Sequence, residues 1–238
     1  MIYLIFAALS GAALTAAVYQ VLWKRRLRKL AAAETVPPPP ALTEWDIHTM
    51  AYHEAGHAVC SRYLPEREVL ERITISPTDE AFGMIRTAVR QHHNETRVSF
   101  GSTLAVFLAG RLAEELFLHE TTTSCVHDLA AARRLAADMV LQLGMGSRLG
   151  LTPPPPELNW SDELRRECDA DIREILADAE RSARDTLAAH ADEVETLAQL
   201  LLERKTLERA EIDEFFGGIR GKKNAGRRNQ EDCLHPGR

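Results

Sequence analysis

No two of the four cysteines stand close together: Cys60, Cys125, Cys168 and Cys233 are scattered along 238 residues. Without a Cys-x-x-Cys pair there is no zinc ribbon, and without a set of closely spaced cysteines no disulfide framework, which fits a reducing compartment. The pattern G-x-x-x-x-G-K-[ST] occurs nowhere, so the phosphate cradle of a P-loop nucleotidase is missing. Excess positive charge is missing too. The net charge is −6, with basic residues crowded into 24–29 and 220–228 around an acid-rich middle, a balance that argues against a nucleic-acid partner. The first 23 residues lack every ionisable side chain except tyrosine.

That last absence points to a membrane. About 20 apolar residues are enough to cross a bilayer as a helix. The charges Lys24, Arg25, Arg26, Arg28 and Lys29 follow the apolar run, whereas a secretory signal carries its positive charge in front. The positive-inside tendency then keeps them in the cytoplasm. The expectation is one N-terminal transmembrane helix over 1–23 in contact with membrane lipid, in a bacterial-type inner membrane. It is single-pass, with the N-terminus outside and the rest of the chain in the cytoplasm. Residues 24–44 read as a basic juxtamembrane segment and a linker, made semi-rigid by Pro37 to Pro40. A folded domain is expected over 45–216. Residues 217–238 read as a disordered tail whose basic cluster (Arg220, Lys222, Lys223, Arg227, Arg228) is solvated rather than bound to anionic partners.

The chemistry is concentrated in Met50 to Leu64, MAYHEAGHAVCSRYL. Apolar residues at Met50, Ala51, Ala55, Ala58 and Val59 predict an amphipathic helix that stops before Pro65. On such a helix His53 and His57 lie one turn apart on one face, where both imidazoles can reach a single tetrahedral ion. Glu54 projects beside that ion, where a carboxylate can take a proton from the attacking water and hand it to a leaving amine. Two ligands and a base on one rigid element make His53-Glu54-Ala55-Gly56-His57 a far more specific signal than a lone histidine pair. Gly56 is a poor helix former, so its place inside the run implies a close neighbour.

The rest of the chain reads as mainly α with a small sheet. Val69 to Ser76 and Phe82 to Val89 alternate like two paired strands. Thr96 to Leu118 is a long helical pattern with small residues Ala105, Ala109 and Ala113. Asp128 to Leu143 is another, with Leu129, Ala132, Leu135, Ala136, Met139 and Leu143 along one stripe and Gly144 as its stop. Ser161 reads as an N-cap followed by Asp162 and Glu163, opening helical sequence to about Glu203 whose charge is a solvated face. Thr206 to Phe216 reads as one more short helix.

Two histidines leave a catalytic zinc one protein ligand short. The extended pattern with a third histidine six residues on is excluded, because Cys60 and Tyr63 occupy the required positions. A later carboxylate is the alternative, and Glu114, Glu115 and Asp128 all remain open on the residues alone.

The segments TMAYHEAGHAV (49–59), LAGRLAEELF (108–117) and HDLAAARRLAADMVLQLGMGSRLG (127–150) resemble, in order, the peptidase domain of the FtsH family. The resemblance runs from about Thr49 to Phe216 and includes a strand pair with an Ile-Thr-Ile core and a Phe-Gly step. It implies a zincin-type helical peptidase domain and one zinc ion per chain, held by His53, His57 and Asp128. It further implies Glu54 as the base, Glu114 supporting the site from behind, and Gly83, Met84, Ile85 and Arg86 as an edge strand that aligns a polypeptide substrate. A homo-oligomer, a hexamer in that family, is implied as well. Two departures stand out. The small-residue approach to the aspartate is here Ser124-Cys125-Val126-His127, with Cys125 and His127 read as structural. The family's ATPase module has no counterpart, so the substrate is expected to be already extended or supplied by a separate ATPase unfoldase. The expected function is a membrane-anchored zinc metalloendopeptidase. The competing expectations are a non-catalytic tethered adaptor or assembly partner of a full-length FtsH-type protease, and a hydrolase of the same metal chemistry acting on another bond.

Overall fold

The computed structural model describes residues 41–65, 69–76, 84–87, 94–151 and 160–218. The expected membrane helix, the basic linker up to residue 40 and the tail beyond residue 218 lie outside these. Among the described residues no helix is long and apolar enough to cross a membrane.

Helix α1 spans Glu44–Tyr63. Thr43 caps it reciprocally: the Asp46 amide donates to Thr43 Oγ1 at 3.2 Å, and the Thr43 amide donates to Asp46 Oδ2 at 2.7 Å. The chain turns extended at Leu64, as the residue before a proline prefers. The helix is not amphipathic as expected. Every residue from Thr49 to Ser61 is buried, because other helices surround it, and a helix enclosed on all sides has no solvent face to mark.

Those neighbours are α2 (Arg97–Ala113) and α5 (Ala191–Arg204), with α4 (Asp162–Ala189) beside them. Thr96 caps α2 by accepting from the Ser99 amide at 3.0 Å. The predicted small-residue face is real: Ala105, Ala109 and Ala113 are fully buried. A Cβ on Gly56 would meet Ala113 Cβ at 2.6 Å and the Ala109 carbonyl oxygen at 2.7 Å, so the two helices touch through backbone. After Ala113 the helix widens into a π segment, Glu114–Leu118, closed by His119 at φ 56°. Such segments rotate the residues that follow relative to the α-helical register and occur often at functional sites.

A 3₁₀ turn, Thr123–Cys125, leads into α3 (Val126–Leu141). Of the predicted stripe, Ala132, Ala136 and Met139 are buried, while Leu129 and Leu143 are exposed. The helix stops with Gly144 at φ +62° and the Met145 amide bonded to the Met139 carbonyl at 2.8 Å, a left-handed C-terminal cap. The loop beyond is fastened to α4 by Asp171, which accepts from Ser147 Oγ at 3.0 Å and from Arg148 Nη1 at 2.8 Å.

Helix α4 begins at the predicted cap, Ser161, which accepts from the Leu164 amide at 3.1 Å. The helical sequence expected from Ser161 to about Glu203 is divided at His190 into α4 and α5. The His190 ring stacks on Tyr63, with centroids 3.6 Å apart, and its Nδ1 lies 3.1 Å from Glu193 Oε1, whose other oxygen accepts the Tyr63 hydroxyl at 2.5 Å. The break ties the end of α1 to the α4–α5 corner.

Among the described residues the sheet has three strands in the order β2–β1–β3, all antiparallel. Strands β1 (Leu70–Thr74) and β2 (Met84–Thr87) pair as predicted, Ile73 opposite Ile85. The third strand, β3 (Thr206–Glu208), was expected to be helical. It pairs Leu207 with Ile73, and the helix starts only at 209 and runs to 218, taking in Gly217 and Gly218 of the expected tail. Burial explains the switch: Ile73 and Leu207 are both fully buried, and each such side chain contributes about 1.5–3 kcal/mol on leaving water.

Candidate metal centre

His53 and His57 sit one turn apart on α1, their rings edge to face and their Nε2 atoms 3.0 Å apart. Asp128, in the first turn of α3, brings Oδ2 to 3.2 Å from His53 Nε2 and 3.4 Å from His57 Nε2. The position of the Asp128 carboxyl, 75 residues from His53 along the chain, depends on how α3 packs against α2 and α4.

The far side of each ring is held as firmly. His53 Nδ1 lies 2.6 Å from Glu114 Oε1, and His57 Nδ1 lies 2.7 Å from the main-chain oxygen of Val106. A carboxylate and a carbonyl accept only, so each Nδ1 carries hydrogen and each neutral ring turns a bare lone pair at Nε2 to the centre. With both rings neutral, two imidazole lone pairs and a carboxylate oxygen face one another, an arrangement that favours a cation, whether a metal ion or the proton that His53 otherwise takes up against Asp128. The spacing suits zinc. Donors about 2.0–2.1 Å from a tetrahedral zinc stand about 3.3 Å from each other, against the 3.0, 3.2 and 3.4 Å found. The three residues could hold one metal ion.

Charge in the centre follows the same contacts. Burial works against a charged His53, but hydrogen bonds to Asp128 and Glu114 and the charges of Glu54 and Glu114 outweigh it and push its pKa up to about 9. Burial works against the Asp128 carboxylate too, yet the two histidines hold its pKa well below the usual range. Glu54 is buried beside the rings, and burial raises its pKa; both histidines pull the other way and Asp128 adds to the rise. A carboxyl moved upward is a better proton acceptor at neutral pH.

The three acids left open by the sequence separate clearly. Glu115 pairs with Arg184 at 2.9 Å at the surface. Glu114 is fully buried behind His53, and Asp128 faces both rings. Of the bulky approach loop, Cys125 donates its thiol to the Thr122 carbonyl at 3.3 Å and His127 is exposed; neither belongs to the cluster. Met84, Ile85 and Arg86 lie on β2, the strand at the sheet edge nearest in contact with α1, and Gly83 lies outside the described residues.

Sequence reasoning missed three partners. Ser124 Oγ donates to Glu114 Oε1 at 2.7 Å, the Thr122 amide donates to Glu114 Oε2 at 2.7 Å, and the Val106 carbonyl orients His57. The polar run Thr121 to Ser124 before a helix was a faint signal for the first two. For the third there was none, since every residue has a main-chain oxygen.

The chain is 33% identical over 180 residues to an ATP-dependent zinc metalloprotease FtsH 1 of Thermomicrobium roseum, covering 70% of this chain and 28% of that protein. It is 32% identical over 188 residues to an ATP-dependent zinc metalloprotease FtsH of Acidothermus cellulolyticus, covering 71% and 28%. A third, from Rickettsia felis, is 29% identical over 191 residues, covering 75% and 30%. The chain therefore spans under a third of the length of these curated relatives. Residues 41–215 match peptidase family M41, a stretch that contains both histidines, Glu54, Glu114 and Asp128, and so the chain belongs to peptidase family M41.

Proposed function

We propose that this chain is a zinc-dependent endopeptidase that cuts extended segments of polypeptide, with His53, His57 and Asp128 as metal ligands and Glu54 as general base. The observation that carries the reading is the convergence of three acceptor atoms within 4.8 Å of one another, with the buried Glu54 next to His53 in sequence. A zinc bound there would polarise the scissile carbonyl and lower the pKa of the attacking water.

The chain's own residues do the rest. Glu54 takes the proton of the attacking water and returns it to the departing amine. Glu114 and the Val106 carbonyl hold the two Nδ1 hydrogens, which keeps both rings in the ligating tautomer and orientation. Ser124 and the Thr122 amide hold Glu114 in turn. The outer edge of β2, with Met84, Ile85 and Arg86 preceded by Gly83, accepts the substrate as an added strand, main chain to main chain. Such recognition needs a segment that is already extended. No phosphate loop occurs in these 238 residues, so opening of folded substrates falls to an ATPase outside them. Anchoring in a membrane through residues 1–23, with the peptidase domain in the cytoplasm, and assembly into a homo-oligomer complete the proposal.

The tethered-adaptor reading is disfavoured by the site itself, since an adaptor has no use for a buried Glu54 between two oriented imidazoles. Digestion of a denatured, casein-type polypeptide tests the proposal: cleavage stops in chelator and returns with added zinc. Cleavage that persists after complete metal removal overturns it.

A further inference from the structure

We infer that Gly110 is a positioning residue of the metal centre: its missing side chain is what allows the tips of both imidazoles to occupy one place. The inference rests on the zinc reading above and adds to it a residue outside the ligand set. A Cβ built on Gly110 would lie 2.5 Å from His53 Nε2, 2.5 Å from His57 Nε2 and 2.6 Å from His53 Cε1. These are its three nearest neighbours, and all belong to the rings, two of them the very atoms that face Asp128.

Three glycines on the α1 and α2 helices show three different reasons for lacking a side chain. Gly56 faces backbone and Ala113, so its absence of bulk serves the approach of the two helices. Gly101 faces nothing within 4 Å. Gly110 alone of the three faces ligand atoms. What lies opposite decides the outcome of adding a methyl group. Backbone does not yield, and the cost falls on the fold. An imidazole tip is the far end of a side chain that turns about two bonds, so the rings swing aside and the helix, now with a better helix former, stays folded. Nε2 atoms driven apart no longer match the tetrahedral spacing that zinc requires. Gly110→Ala therefore separates metal binding from folding.

The test uses the full chain and its Gly110→Ala and Gly101→Ala variants. Zinc content and affinity are measured by chelator competition, the geometry by the visible spectrum of the cobalt-substituted protein, and the fold by the thermal midpoint in chelator. Wild type and Gly101→Ala are expected to hold one zinc and show the intense tetrahedral cobalt spectrum. Gly110→Ala is expected to remain cooperatively folded in chelator, losing no more than the contacts of the displaced rings supply, while its zinc affinity falls on the order of 100-fold and the tetrahedral spectrum is lost. Zinc affinity within a few-fold of wild type overturns the inference. If wild type itself takes up no zinc, the metal reading fails and the inference falls with it. Should Gly110→Ala not fold, it is placed on the His53→Ala/His57→Ala background, where the methyl has room. Folding there assigns the clash to the rings and upholds the inference, and failure there overturns it.

Discussion

Glu114 Oε1 accepts the Nδ1 hydrogen of His53 across 2.6 Å, from a residue that is fully buried and 61 positions further along the chain. The carboxylate is itself held by the Ser124 hydroxyl and the Thr122 amide; although burial opposes its charge, these three donors keep its pKa below the ordinary glutamate value. Glu114→Gln removes the charge and keeps the shape. Zinc affinity should drop about 10–100-fold, read by competition with a chelator of known affinity. An unchanged affinity would mean that His53 is oriented by something else.

Glu54→Gln separates ligation from proton transfer. The variant should retain one zinc with near wild-type affinity, while turnover of a denatured polypeptide falls by about 10²–10⁴-fold or below detection. A variant that still turns over at the wild-type rate removes Glu54 from the base role.

The zinc-free protein should have a characteristic pH dependence. His53 is raised from 6.5 to about 9 in the folded state, so the stability it contributes is fully present below 6.5 and lost as pH rises through about 9. Asp128 is lowered from 3.8, so its contribution is present above that value and lost as pH falls below it. The thermal midpoint in chelator should therefore be highest between 3.8 and 6.5 and decline towards pH 9. In saturating zinc the decline should vanish, because neither the zinc-bound nor the unfolded state then carries the His53 proton. Parallel curves with and without zinc would contradict the shared contact between His53 and Asp128.

Gly56→Ala probes packing in place of chemistry. With backbone and Ala113 in its way, the methyl group should destabilise the fold by about 1–3 kcal/mol. Denaturant unfolding measures it. Zinc affinity of the fraction that remains folded should be little changed, the opposite of the pattern expected at Gly110.

Much of the helical framework could be read in advance because its signals are local. Ser161 caps its helix through a hydrogen bond three residues away, and the Ala105, Ala109, Ala113 spacing already describes a narrow face. Elements decided by distant partners were misread. Thr206–Glu208 is strand because Ile73 offers it a buried place in a sheet, and three residues are too few to display a period of two. The break at His190 follows from stacking on Tyr63, 127 residues earlier in numbering, a contact no local pattern contains.

The candidate site divides along the same line. That His53 and His57 share a face, with Glu54 beside them, follows from the pitch of any α-helix and needed no partner to establish it. Which acid turns towards them depended on the fold: Glu114, Glu115 and Asp128 all offer a carboxylate, and the π segment after Ala113 together with the packing of α3 puts one behind a ring, one on the surface and one in front. The carbonyl of Val106 and the bare Cα of Gly110 lie further still from a sequence reading, because a main-chain oxygen and a missing side chain acquire meaning only from what stands opposite them in space.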